Sequence, residues 1–230
     1  MKISGIQKTS AIDYPDHLTT IIFTQGCNLT CPYCHNPNLI PDNSDSNQYL
    51  PLKQFWGFIN KRKNLIDGVT ITGGEPALQP DLMEVITKIK NLDLKVKLDT
   101  NGTKPEVIKK LLDNNLIDYI AQDVKFPLGQ YDSIATKDFT QEIQKTIDLI
   151  KNSNIDYEFR TTVVPRLHTT EDIEKISALL ENAEQYYIQN FKPNNTLDPN
   201  LKEKRGFPPA KLQEFKEIAA DYIYKVEIRN

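Results

Sequence analysis

Six times between residues 19 and 222, a short β-branched or aromatic run is followed by a stretch with helical periodicity. The runs are 19–24, 69–72, 95–98, 118–122, 157–164 and 186–189. Each is rich in Val, Ile, Thr, Tyr or Phe, which suit a pleated strand. Between them, apolar residues recur at helical spacing. Leu52, Phe55, Trp56 and Ile59 share one face, as do Leu82, Val85, Ile86 and Ile89. Val107, Ile108, Leu111 and Leu112 mark a third helix, with Thr103 and Glu106 spaced as a capping box. Ile143, Ile147 and Ile150 mark a fourth, and Ile173, Ile176, Leu179 and Leu180 a fifth. Leu212, Phe215, Ile218, Ala219 and Tyr222 mark the last, before a final edge strand at 225–228.

Strand–helix alternation implies parallel pairing through right-handed crossovers. Six units are fewer than the eight that close a full barrel. The expected fold class is therefore α/β: an open, partial (β/α)6 barrel, or partial TIM barrel, in a single domain spanning residues 1–230. Residues 1–18 read as an irregular or hairpin-like entry, 41–49 as a polar connector and 207–230 as the closing helix and edge strand. A doubly wound open sheet is the alternative the same pattern permits. Either architecture places its active site at the C-terminal ends of the strands.

Those ends carry the polar clusters of the chain. The first strand runs into Cys27, Cys31 and Cys34, spaced C-x3-C-x2-C, which are all the cysteines present. Structural cysteines scatter, whereas ligands must converge, so these read as metal ligands. The spacing fits an iron–sulfur cluster held by three thiolates with one iron left open. The alternative is a structural zinc site with His35 as fourth ligand, although no second ligand pair exists to complete it. The second strand ends in Thr72-Gly73-Gly74-Glu75-Pro76, the third in Asp99-Thr100-Asn101-Gly102 and the fourth in Asp123-Val124-Lys125. The fifth carries Arg160 among apolar neighbours. Gly73 and Gly74 would let backbone approach a ligand, and Glu75 could accept a hydrogen bond from an ammonium. An ordinary strand-to-helix turn explains the same residues.

Composition narrows the class. With 39% hydrophobic and 26% charged residues, the chain can bury a core. The net charge of −3, without a basic run interleaved with aromatics, gives no case for nucleic-acid binding. Apolar runs are too short to span a membrane, and the N-terminus lacks the apolar core of a signal peptide. An odd cysteine count argues against a disulfide framework. A reduced, cytoplasmic protein is expected.

Taken together, Cys27-Asn28-Leu29-Thr30-Cys31-Pro32-Tyr33-Cys34 and the strand-end clusters resemble a radical S-adenosylmethionine (SAM) enzyme, with Tyr33 as the aromatic residue of its cysteine motif. The chain is most similar to the glycyl-radical-activating enzymes, particularly the activating proteins of anaerobic ribonucleoside-triphosphate reductase. The matching segments extend from Lys8-Thr9-Ser10 to Arg160-Thr161-Thr162-Val163, with Gln189-Asn190-Phe191 beyond. The resemblance implies a [4Fe–4S] cluster on Cys27, Cys31 and Cys34, and SAM chelating the open iron. Reductive cleavage would yield a 5′-deoxyadenosyl radical that abstracts a glycine Cα hydrogen from a glycyl-radical enzyme. A low-potential donor such as flavodoxin or ferredoxin would supply the electron. Gly73, Gly74 and Glu75 would meet the SAM amino group, while Lys125 and Arg160 would neutralise its carboxylate. Tyr33 would present backbone to the adenine, and Asn101 lies in the same ligand-facing segment.

By resemblance to formate-lyase-activating enzymes, Asp99, Thr100 and Asp123 would hold a monovalent cation; a structural ion-pair cluster is the alternative. Relatives also place a late histidine near SAM, but none of His17, His35 and His168 falls within 189–193. The formate-lyase activators carry Asp-Gly-Pro-Gly at the target's entry, where this chain has Asp13-Tyr14-Pro15-Asp16. Two competing readings are a radical SAM enzyme for a small molecule or nucleoside, and a non-enzymatic zinc or iron–sulfur binding module.

Overall fold

A computed structural model describes residues 1–41 and 49–229. Eight strands form one sheet in unbroken chain order: β1 (Ile3–Ser10), β2 (Thr19–Thr24), β3 (Gly68–Gly73), β4 (Lys95–Thr100), β5 (Tyr119–Asp123), β6 (Asp156–Val163), β7 (Gln185–Asn190) and β8 (Lys225–Arg229). β1 pairs antiparallel with β2, and every later pair is parallel. Among the described residues, six α-helices connect the parallel strands: α1 (Leu52–Arg62), α2 (Leu82–Lys90), α3 (Pro105–Asp113), α4 (Thr140–Lys151), α5 (Thr170–Leu179) and α6 (Pro209–Ala220). The six expected strand–helix units are present, and the expected edge strand is β8.

A doubly wound sheet reverses its strand order part-way. This one does not, which excludes that alternative. Crossovers of one hand in unbroken order place every helix on the same face. The sheet consequently has an outer face for helices and an inner face for the site. β4 shows the division within four residues. Val96 and Leu98 are fully buried in the apolar core, while Lys97 and Asp99 pair with each other on the opposite face. Leu82, Val85, Ile86 and Ile89 of α2 join that core, each contributing about 1.5–3 kcal/mol relative to exposure.

The expected capping box at Thr103 and Glu106 is absent. α3 starts at Pro105 with no side-chain cap, because the Thr103 hydroxyl donates to Asn101 Oδ1 at 2.7 Å. Proline at the first helical turn needs no N–H partner. A capping box occurs instead on α5, between Thr169 and Asp172. Of the expected polar connector, residues 42–48 lie outside the described residues.

β1 and β8 are sheet edges and do not pair, so the barrel keeps an open seam. The β1–β2 connection lies beside it. Tyr14 packs its ring on Tyr119 at 5.4 Å and joins Ala121 in a small inner apolar cluster. Asp16 adopts φ 60°, the left-handed region where a glycine would be at ease and aspartate is tolerated. The two glycines of the formate-lyase activators are thus replaced by a residue filling the barrel interior and one that keeps the turn. Among the described residues, no helix is long and apolar enough to cross a membrane.

Candidate active site

The cysteine loop is a ring stitched at its neck. Leaving β2, Gly26 N–H donates to Leu39 O at 2.8 Å and Cys27 N–H to Ile40 O at 3.2 Å. The Gln25 side chain donates to Asn38 O at 2.8 Å and to Pro41 O at 2.6 Å. Gly26 takes φ 96°, which turns the chain into the loop. Cys31 is buried, and Cys27 and Cys34 are half-buried. Burial pushes the Cys27 thiol up to about 11, against the Leu29 backbone N–H, and Cys31 up to about 12, against Lys125. Nucleophilic cysteines have lowered values. Thiols raised in this way become thiolates through metal binding, which displaces their protons.

The β3 end packs against this loop with no space to spare. A Cβ on Gly73 would lie 2.2 Å from Thr24 N, and one on Gly74 would lie 2.1 Å from Gly26 O. The close approach of the two strand ends requires both glycines, which also line the mouth cavity. Glu75 is completely buried. Its Oε1 accepts from Ala77 N at 3.0 Å and Thr100 Oγ1 at 2.9 Å, and its Oε2 from Asn101 N at 2.6 Å. Burial raises its carboxyl to about 7, with the Asn101 and Ala77 N–H groups opposing. Glu75 thus ties the β3 turn to the end of β4. Asn101 carries the tie onward, with Nδ2 donating to Asn28 Oδ1 at 3.0 Å and lying 3.9 Å from Cys27 Sγ.

The inner face holds a continuous ion-pair network. Arg160 on β6 reaches Asp123 at 2.8 Å, Asp99 at 3.5 Å and Glu158 at 3.6 Å. Lys125 lies 3.3 Å from Asp123, and Lys97 lies 2.7 Å from Asp99. Arg229 on β8 grips Glu158 through two bonds of 2.9 and 2.8 Å. Burial alone would raise Asp123, but Arg160 and Lys125 outweigh it and hold the carboxyl down to about 2. Asp99 is lowered too, with burial overcome by Arg160 and Lys97. The ion-pair alternative weighed for these carboxylates is the arrangement present. A monovalent cation at Asp99, Thr100 and Asp123 would compete with Arg160 for both carboxylates, and the Thr100 hydroxyl donates to Glu75.

The peptide of Lys125 is clamped on both sides. Its N–H donates to Tyr131 Oη at 2.9 Å, and its carbonyl accepts from His168 Nε2 at 2.8 Å. His168 Nδ1 accepts from Val164 N at 3.1 Å, which leaves the proton on Nε2. Burial lowers the pKa of this imidazole and keeps it neutral. His168 stacks on Phe126 at 4.8 Å, and Tyr33 meets both rings edge-on at 6.0–6.2 Å. Tyr33 therefore anchors the cysteine loop from beneath with a buried ring.

All thirteen residues singled out from the sequence line one cavity of about 420 Å³ at the barrel mouth. A larger depression of about 760 Å³ lies on the outer side between α3 and α4, without cysteines or an ion-pair network. Chemistry rather than volume locates the site. Asp13, Thr162 and Gln189 also line the mouth cavity. Thr162 and Gln189 fall in the segments that carry the family resemblance, but no residue chemistry singled them out as site residues. His168 carried no signal, because its partners, Lys125 and Val164, lie just beyond the ends of β5 and β6. The zinc reading needs His35 as its fourth ligand, and His35 Nε2 is bonded to Lys192 O at 2.9 Å.

The profile of the Radical SAM superfamily matches residues 21–180. The chain belongs to the radical SAM superfamily. Its cofactors are accordingly a [4Fe–4S] cluster and SAM, and it is an enzyme of that kind. A Methanocaldococcus jannaschii protein bearing the name of a glycyl-radical enzyme activating enzyme is 37% identical over 99% of this chain and 95% of its own length. A Clostridium pasteurianum pyruvate formate-lyase-activating enzyme is 27% identical over 98% of this chain and 95% of its own. Among solved structures, Streptococcus suis SuiB bound to S-adenosylmethionine superposes with a TM-score of 0.65 at 15% identity, covering 91% of this chain. That likeness speaks for the fold alone, and this radical SAM protein spans about half of the SuiB chain (50%). The donor set fits both cofactors. Three cysteines of one stitched loop open onto a cavity large enough for a small ligand, with cationic and anionic groups on its far wall.

Proposed function

We propose that this radical SAM enzyme activates a glycyl-radical enzyme by abstracting hydrogen from a glycine Cα, the target being anaerobic ribonucleoside-triphosphate reductase. The observation that carries the reading is the open seam. A second chamber of about 470 Å³ lies beside the mouth cavity and shares Asp13, Arg160 and Gln189 with it. An extended loop from another protein has room to enter between the β1–β2 connection and β8. The Methanocaldococcus and Clostridium relatives, similar over nearly the whole chain, carry names of this activity.

Cys27, Cys31 and Cys34 would hold the cluster, which would supply the one-electron chemistry for reductive cleavage of SAM. The chain supplies everything else. Lys125 and Arg160 face the cavity as fixed cations for the SAM carboxylate. Glu75 and Asn101 hold the ends of β3 and β4 against the cysteine loop, and Gly73 and Gly74 set how closely they approach. The buried Leu29, Cys31 and Tyr33 keep water from the radical's birthplace. Asp13 stands where both chambers meet, within reach of an entering backbone. A flavodoxin or ferredoxin serves as the external electron source.

Anaerobic reconstitution with a reductase deuterated at its glycines tests the reading. Deuterium is expected in 5′-deoxyadenosine, together with a glycyl-radical electron paramagnetic resonance doublet on the partner. Reductant-driven 5′-deoxyadenosine free of deuterium with every glycyl-radical partner would move the assignment to a small-molecule or nucleoside substrate.

A further inference from the structure

The connection from β7 to α6 closes on itself and leans on the cysteine loop. The Asn190 side chain joins its ends, with Nδ2 donating to Phe207 O at 3.1 Å and Oδ1 accepting from Phe207 N at 2.9 Å. Gly206 permits the closure, since a Cβ there would lie 2.4 Å from Asn190 Oδ1. The middle of the loop is fastened to the cysteine loop at three points. His35 Nε2 bonds Lys192 O at 2.9 Å, Asn195 Nδ2 donates to His35 O at 3.1 Å and Asp198 N to Pro32 O at 2.8 Å. His35 also stacks on Phe191 at 6.0 Å. Compact surface loops with joined ends are frequently functional.

This loop displays positive charge. Residues 191–206 carry Lys192, Lys202, Lys204 and Arg205 against Asp198 and Glu203, in a chain whose net charge is −3. The Asp198 carboxylate is occupied by Asn200, accepting from its N at 2.9 Å and Nδ2 at 3.0 Å. Among the described residues, none of the four cations has an ion-pair partner. Lys192, Lys202 and Arg205 are exposed, and Leu197 between them is 37% exposed. A small apolar contact within a charged rim is the make-up of a transient interface, and redox encounters are small and electrostatically guided.

We infer that residues 191–206 are the docking surface for a small acidic one-electron carrier protein. The inference rests on the proposed function, in which each SAM cleaved consumes one electron. The carrier is oxidised by one electron, the cluster is reduced by one, and that electron enters the C5′–S bond as methionine leaves. The loop touches Pro32 and His35, the residues that follow Cys31 and Cys34, so a carrier seated there stands beside the cluster. Positive charge at this place favours an acidic partner and selects against a basic one.

The test compares reconstituted holoenzyme with the triple variant Lys192→Glu, Lys202→Glu, Arg205→Glu, using an acidic flavodoxin as probe. Iron content and circular dichroism establish that the variant is folded and loaded. Binding of oxidised flavodoxin and stopped-flow cluster reduction by reduced flavodoxin are expected to fall at least about ten-fold. Dithionite-driven 5′-deoxyadenosine formation is expected to stay at the wild-type level. A variant that keeps flavodoxin-driven reduction, or that loses the dithionite reaction equally, overturns the inference. Loss of binding to the glycyl-radical enzyme with flavodoxin reduction intact also overturns it, by assigning the loop to the target. Wild-type enzyme that forms no 5′-deoxyadenosine with dithionite would refute the proposed function instead, and flavodoxin binding would still decide the surface.

Discussion

Cys31 is the most buried of the three cysteines, and its thiol is raised furthest by that burial among those with a resolved shift. Cys31→Ala is expected to abolish cluster assembly while leaving the fold largely intact, because alanine fits the space and the loop neck is stitched elsewhere. Iron and sulfide analysis beside circular dichroism checks this; full iron content in the variant would contradict the assignment. Gly74 presents the opposite case, in which adding one carbon is the perturbation. With Gly26 O only 2.1 Å from the would-be Cβ, Gly74→Ala must push the cysteine loop away from β3. The expected cost is about 1–3 kcal/mol, the usual range for overpacking. Urea unfolding of the apoprotein measures it, and reduced iron uptake accompanies it. A variant with wild-type stability and iron content would show that the contact is loose. The sequence reveals that glycines stand at 73 and 74, but not which neighbour requires them, since that neighbour is 48 or 49 residues away in the chain for the closest contacts, at Thr24 and Gly26.

At the scale of elements, the site is an agreement among strand ends. β2 provides the cysteines, β3 and β4 are joined through Glu75, and β5 is held to β6 through the Lys125 peptide. His168 stands at that last junction, after β6 and before α5. His168→Leu leaves the Lys125 carbonyl and the Val164 N–H without their buried partners, at an expected cost of about 1–3 kcal/mol. The KM for SAM is expected to rise more than kcat falls, because the residue acts by positioning Lys125. His168→Gln offers both a donor and an acceptor and is expected to recover much of the loss. Equal effects of the two substitutions on SAM affinity would reduce His168 to a packing residue. No spacing rule ties residue 168 to residue 125, so the sequence carried this clamp only as an isolated histidine near a helix start. The capping box fails for a related reason. Thr103 fits the local pattern, but the tertiary pull of Asn101 takes its hydroxyl.

Across the whole molecule, the inner face is an ion-pair network spanning β4, β5, β6 and β8. Asp123 is held down to about 2 in the folded state, whereas an ordinary aspartate titrates near 3.9. A group depressed by folding adds stability above its unfolded value and loses it as pH falls towards its folded value. The stability gap between wild type and Asp123→Asn is therefore expected to be full above about pH 4 and to close as pH drops to about 2. With the carboxylate 31% exposed, solvent screening limits the gap to roughly 1–2 kcal/mol. Urea midpoints of the apoprotein between pH 2 and 7 measure it. A gap that widens on acidification would reverse the sign and remove Asp123 from the network's stabilising members.

The alternation of strands and helices determined an α/β fold with a parallel sheet, because periodicity is local, whereas the unbroken strand order that makes the sheet a partial barrel was decided by the tertiary structure. Three cysteines within one loop made a metal site readable from the sequence, because ligand spacing within a few residues does not depend on the rest of the fold. Tertiary structure alone decided which groups each strand-end residue meets. Glu75 became a brace because β4 arrived beside it, and Gly73 and Gly74 became strand spacers because β2 did. Arg160 came to sit between Asp99 and Asp123 because three strands turned the same face inward. Such roles depend on which groups meet across tens of residues, and meeting is a property of packing that no local pattern encodes.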